Sequence, residues 1–157
     1  MKKPKWVVEK EQAKKAAAQE TVWLFGLHAV RDALLNPNRQ HLRLILTKNA
    51  ADKLADAVQQ AGVEPEICDP RKFAAPLDPA SVHQGVVLVT KPLKWGSLED
   101  VALAPGVGHP RLIRLDRVTD PHNVGAILRS AVVFGASAVI GAQRHNAPET
   151  GALAKTA

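Results

Sequence analysis

Apolar residues along this chain change their spacing several times, and each spacing predicts an element. "GLHAVRDALL" (26–35) places Leu27, Val30, Ala33 and Leu34 at helical intervals, and "NPN" stops the run. "HLRLILT" (41–47) alternates and is rich in Leu and Ile, which predicts a strand. "AADKLADAVQQAG" (50–62) reads as an amphipathic helix with Leu54, Ala57, Val58 and Ala61 inward and Gly62 as its stop. "EPEICD" (64–69) predicts a short strand, and "PRKFAAPL" a short helix or turn. The nearly continuous apolar run "GVVLVT" (85–90) predicts a strand buried on both faces. Strands alternating with helices over 22–90 argue for a small α/β domain.

The pattern lapses over "KPLKWGSLEDVALAPGVGHP" (91–110), whose three Pro and three Gly predict a linker. Within it, Ser97 and Asp100 can cap a short helix, "LEDVALA". Gly106 and Gly108 look like the start of a dinucleotide fingerprint, but Pro110 follows and neither flank suits one. Periodicity resumes as strand "RLIRLD" (111–116), loop "RVTDPHN" (117–123), a helix over 124–134, Gly135 as stop and strand "SAVIGA" (137–142). That is a βαβ element, the opening of a parallel sheet. One crossover buries only part of a sheet, so the tail "PETGALAKTA" is expected to end a domain cut short.

The helix at 124–134 carries an anomaly. Asn123 is expected as its N-cap, Pro121 fixes the turn before it, and Ile127, Leu128, Ala131, Val132 and Phe134 set its apolar face. Arg129 is a charge on this otherwise apolar segment. It lies four residues beyond Gly125 and three beyond Ala126, and helical side chains lean towards the N-terminus. Its guanidinium can therefore lie back towards the Asn123 turn, where helix N–H groups and the dipole favour an anion or a polarised oxygen. On spacing alone two roles stay open: that site, or an ion pair from Arg129 to Asp116 or Asp120 with Asn123 only capping. Ser130 is expected to bond back to a backbone carbonyl, and His122 reads as a turn residue.

Composition narrows the classes. A net charge of +6 and a pI near 9.7 favour an acidic partner such as RNA. With three Phe, three Trp and no Tyr, contacts are expected to phosphate and sugar, since base stacking would need more aromatics. Residues 1–21 form a basic arm expected to be disordered. No run approaches the roughly 18 apolar residues of a membrane span, and the N-terminus lacks the apolar stretch of a signal peptide. The single cysteine, Cys68, reads as a buried or incidental thiol in a cytoplasmic protein. Histidines 28, 41, 83, 109, 122 and 145 are scattered, so no metal site is expected. No Ser/His/Asp or Cys/His constellation stands out.

"LDRVTDPHNVGAILRSAVVFGASAVI" (115–140) closely resembles the first motif of the SpoU-type RNA ribose 2′-O-methyltransferases, in the knotted SPOUT class. The combination D-P-x-N-x-G-x-x-x-R-[ST]-A is specific, and "GLHAVRDAL" and "HQGVVL" resemble words in the family's substrate-binding domain. The resemblance covers roughly 22–157. It implies an RNA-binding α/β domain at 22–91, the linker at 92–110, and at 111–157 the first βαβ part of a SPOUT domain, a knotted Rossmann-like α/β fold. It implies methyl transfer from S-adenosylmethionine to a ribose 2′-hydroxyl, with 23S ribosomal RNA ahead of transfer RNA as substrate. Asn123 and Arg129 take the motif's catalytic positions. RNA contact is assigned to Arg129, His28, Arg31, Arg117 and His122. The family's later "G-x-E-G-x-G"-like and "S-L-N-x-S-x-A" segments, which form the knot and hold the cofactor, do not occur in these 157 residues. The cofactor pocket is therefore expected to be largely missing and this chain inactive alone, with a homodimer expected for the complete protein. The alternatives are a non-catalytic basic RNA-binding module and, less well supported, a doubly wound nucleotide-binding enzyme, whose Gly-rich turn is missing at 116–124.

Overall fold

The computed structural model describes residues 21–73, 75–77, 81–102, 109–142 and 146–157. Most of the basic arm, the Gly106/Gly108 pair and His145 lie outside the described residues.

The first region is a four-stranded mixed sheet with two helices. Its elements are β1 (Val22–Phe25), α1 (Leu27–Leu35), β2 (His41–Thr47), α2 (Lys48–Ala61), β3 (Pro65–Cys68), a 3-10 turn (Pro70–Lys72) and β4 (Val86–Thr90). The sheet order is β1-β4-β2-β3. β4 runs antiparallel to both neighbours, placing Leu88 opposite Leu24 on one side and Leu44 on the other, while β2 and β3 are parallel. Central position explains the unbroken apolar run of β4: all five of its residues are buried. Leu44, Leu46, Val86 and Leu88 of the sheet are completely buried against α1 and α2, as is Val30 on α1 itself. Each such side chain contributes about 1.5–3 kcal/mol of apolar burial. β1 is absent from the pattern-based reading, because four residues, "VWLF", are too few to display a period.

Both helices form as their sequences dictate. Thr47 caps α2 by accepting the Ala50 N–H, and Leu54 and Ala57 face the core. Gly62 (φ 64°) and Gly135 (φ 65°) end their helices in the left-handed region, which L side chains rarely adopt. In the linker, Ser97 and Asp100 exchange hydrogen bonds in a capping box at the start of α3 (Leu98–Ala102), as expected.

The second region comprises β5 (Leu112–Arg114), α4 (Pro121–Val133) and β6 (Ala138–Ile140), with β5 and β6 parallel as the βαβ reading requires. Two expectations about α4 are corrected. Asn123 is not the N-cap: Asp120 is, its carboxylate accepting the His122 N–H at 3.0 Å, with Pro121 as the first helical residue. Proline pre-set at the helical φ, needing no N–H partner, starts the helix three residues earlier. The apolar face is also narrower. Val124, Ile127, Leu128 and Ala131 share one stripe against the core, whereas Val132 is 80% exposed and Phe134 72%. Val132 follows Ala131 by about 100° around the helix axis, which takes it off the stripe.

The tail forms a further helix, α5 (Gly151–Thr156), capped by Thr150. Leu153 joins the small core of Leu115, Val124 and Ala147, while the adjacent Ala154 packs on the core of the first sheet. One short helix thus serves both regions.

Candidate functional site

The face of α4 around Gly125 is where the anomalous arginine works out its position. A Cβ at Gly125 would lie 2.7 Å from the Leu153 carbonyl oxygen and 2.8 Å from the Thr156 Cβ, so only glycine lets α5 approach this closely. His122, Gly125, Ala126 and Arg129 fall at intervals of three and four, one behind another on a single helix face. Arg129 is exposed and lies back along that face, donating from Nη2 to the Thr156 backbone carbonyl. His122 Nδ1 sits 3.1 Å from the Thr156 hydroxyl. Arg129 thus reaches the residue that His122 also meets, Thr156 of α5, and not the Asn123 turn that the sequence suggested.

Among the described residues the ion pairs are Arg39–Glu149 and Arg43–Glu66. The alternative pairing of Arg129 with Asp116 or Asp120 does not form. Ser130 donates to the Ala126 carbonyl at 3.1 Å, as its helical position predicts.

The other candidate residues are distributed. Asn123 is exposed on the first turn of α4, six positions before Arg129 and so about 120° away around the helix. Arg117 sits in the loop after β5 with φ 54°, a left-handed backbone uncommon outside glycine. His28 and Arg31 project from α1 into a separate groove of about 410 Å³ between α1 and α2, shared with Lys53, Asp56 and Gln60. The structure therefore brings Arg129 and His122 to one residue, Thr156, while His28 and Arg31 line a groove that includes neither.

Cys68 lines a second cavity, of about 550 Å³, with Thr47, Lys48, Asn49 and Asp69. Burial, and then the charges of Asp69 and Glu66, push its thiol up from the ordinary cysteine value. No helix among the described residues is long and apolar enough to cross a membrane.

Sequence reasoning missed the capping role of Asp120, and it missed Glu149, Arg39 and Thr156 altogether. Asp-Pro is a usable signal for Asp120, since proline favours the first helical position and aspartate the cap before it. Nothing local announces the other three, because their partners lie 27 to 110 positions away.

Comparison with known proteins adds an independent line. Residues 23–96 match the family model for RNA 2′-O ribose methyltransferase substrate binding, and residues 110–157 match the SpoU rRNA methylase family. The 23S rRNA (guanosine-2′-O-)-methyltransferase RlmB of Escherichia coli is 34% identical over 122 residues, which cover 74% of this chain and 50% of that protein. The mitochondrial rRNA methyltransferase 1 of Saccharomyces cerevisiae is 28% identical over 164 residues, covering 85% of this chain and 40% of its own length. A crystal structure of an AdoMet-bound rRNA methyltransferase from Sinorhizobium meliloti superposes with a TM-score of 0.58 at 23% identity, over 92% of this chain and 51% of that one. The last likeness is one of fold. This chain spans about half the length of the curated relatives it matches.

Proposed function

The chain belongs to the SpoU family of RNA 2′-O-methyltransferases, and from that premise we propose that it serves methyl transfer from S-adenosylmethionine to a ribose 2′-hydroxyl of 23S ribosomal RNA. The substrate-binding part is residues 22–91, joined through a linker at 92–110 to the methylase part at 111–157. The observation that carries this reading is Arg129. It lies in the segment matching the methylase family, exposed on α4, with one guanidinium nitrogen held by Thr156 and its remaining donors free for a ligand.

A neutral ribose hydroxyl is a poor nucleophile, and negative charge grows on its oxygen as the methyl group is received. A guanidinium placed against that oxygen and the adjoining phosphate lowers the cost of this charge. A guanidinium offers donors and no acceptor, so the part of Arg129 is electrostatic and orienting, and the proton of the hydroxyl leaves to another acceptor. Asn123 shares the catalytic role with Arg129, while Arg117 and His122, at the loop and helix start, and His28 and Arg31 on α1 supply further RNA contacts.

The residues present do not by themselves fit S-adenosylmethionine. The cavities at Cys68 and between α1 and α2 both belong to the first region, and α5 already fills the space over Gly125. This chain alone is expected not to methylate. The same fact supports a second reading, in which these 157 residues act as a non-catalytic RNA-binding module. The exposed Val132, Val133 and Phe134 at the end of α4 are compatible with a homodimer of the complete protein.

The test is a 2′-O-methyl map of ribosomal and transfer RNA with the gene intact, deleted, and carrying Arg129→Ala. Loss of one ribosomal methyl group in both altered strains is expected. Full methylation in the Arg129→Ala strain rejects the role of Arg129. An unchanged map on deletion, with RNA binding retained by the protein, selects the binding module.

A further inference from the structure

A buried ion pair ties the chain across 110 positions. Arg39, between α1 and β2, donates from Nη1 to Glu149 Oε1 at 2.5 Å, and each side chain is only 8% exposed. The other carboxylate oxygen of Glu149 accepts the Leu93 N–H at 2.9 Å, and Arg39 Nη1 lies 3.4 Å from the hydroxyl of the fully buried Thr90. Glu149 is thus gripped on both oxygens, by Arg39 of the first region and by the start of the linker, one residue before the cap of α5.

The helix just beyond Glu149 is seated with equal closeness. A Cβ on Gly151 would run into the Trp23 carbonyl and the Phe25 ring. Lys155 donates to the Val82 carbonyl at 2.6 Å and lies 5.5 Å above the Phe25 ring. The far end of α5 is Thr156, whose hydroxyl meets His122 and whose carbonyl takes Arg129.

We infer that Glu149 is a positioning residue for Arg129: clamped by Arg39, it seats α5 on the first sheet, and α5 presents the Thr156 carbonyl that orients the guanidinium. This rests on Arg129 being the working cation. An unanchored exposed arginine must give up much rotamer freedom when it meets a ligand. One tethered at a single nitrogen has given up most of it beforehand while keeping its other donors available. Because Arg39 and Thr90 belong to the first region and Leu93 opens the linker directly after it, the placement of that region governs the aim of a side chain in the second.

The test uses this 157-residue chain and needs neither RNA nor cofactor. Amide exchange at Leu153, Ala154 and Ala157 is followed together with the guanidinium N–H signals of Arg129 by nitrogen-15 NMR. Glu149→Gln keeps the shape and removes the charge, stranding buried Arg39. Protection at the α5 amides is expected to fall on the order of a hundredfold, with the Arg129 signals moving to the values of free arginine and Leu24 and Leu88 unaffected. Arg129 signals that stay in place overturn the inference, whether or not α5 loosens. If Glu149→Gln unfolds the chain, Gly151→Ala decides, since it lifts α5 off Trp23 and Phe25 and leaves the ion-pair residues intact. The same movement of Arg129 supports its positioning through the seat of α5, and a fixed Arg129 overturns the inference. A negative methyl map would remove the role of Arg129 and leave this measurement unchanged, so the two failures are distinguishable.

Discussion

The four-stranded sheet and the β5–α4–β6 crossover are both built from strands and helices, yet they hide their apolar residues very differently. The first closes around twelve buried side chains contributed by three strands and two helices. The second gathers four, one of them Leu153 on loan from α5, and leaves Leu112, Val132, Val133 and Phe134 exposed. A region that buries its own faces can hold its shape by itself. A two-stranded sheet with one crossover helix has too little interior, and takes its order from α5 and the first sheet behind it. The cation proposed to act on RNA sits in the less self-sufficient region, held through that shared helix.

The comparison breaks first at the core. Leu44→Ala is expected to cost about 4 kcal/mol, against under about 0.5 kcal/mol for Val132→Ala, both read from urea unfolding. Similar costs would mean that the two regions are equally packed. Next in size is the seam. In Gly125→Val the intruding methyls cost about 2–3 kcal/mol, outweighing a propensity gain of under about 0.5 kcal/mol. The loss should appear as faster amide exchange in α5 while Leu24 and Leu88 stay protected; uniform loss would show one cooperative unit. Asp120→Ala should then cost about 1 kcal/mol by removing the cap of α4, confined to amides of its first turn.

The smallest effect lies on the rim of the first sheet. Two hydrogen bonds from Arg43, both at 2.7 Å, hold the Glu66 carboxyl below its ordinary value, helped by the attraction of the charges and opposed by slight desolvation. A lowered folded value means that the pair stabilises the fold above the ordinary carboxylate range and loses that contribution as pH falls through the lowered value. Both side chains are half exposed, so the difference in Tm between the protein and Glu66→Gln should be slight at neutral pH, shrink in acid and weaken with salt. A difference that grows in acid would contradict the assignment.

How legible a feature is depends on how local its causes are. α1, α2, β2 and β4 are readable because three-to-four and two-residue periods, and the glycine after α2, are written within a dozen positions. So is the crossover of β5, α4 and β6. Its start is harder to place, because Asn123 stands as a good cap beside the apolar run while Asp-Pro just upstream also reads as turn. Val132 and Phe134 count as inward on apolarity alone, and nothing in the described residues comes to cover them. β1 is too short for a period, and α5 has small residues that pack close but carry little hydrophobic signal.

By itself, the sequence determined the local elements and enough of two motifs to name a family. Only the tertiary structure decided what Arg129 meets. Thr156 reaches it because Gly125 and Gly151 let α5 press against two surfaces at once, and Glu149 finds Arg39 across 110 positions. Periodicity records which way a side chain faces. Its partner is chosen by close packing and by the cost of burying an unpaired charge, and both depend on the whole fold.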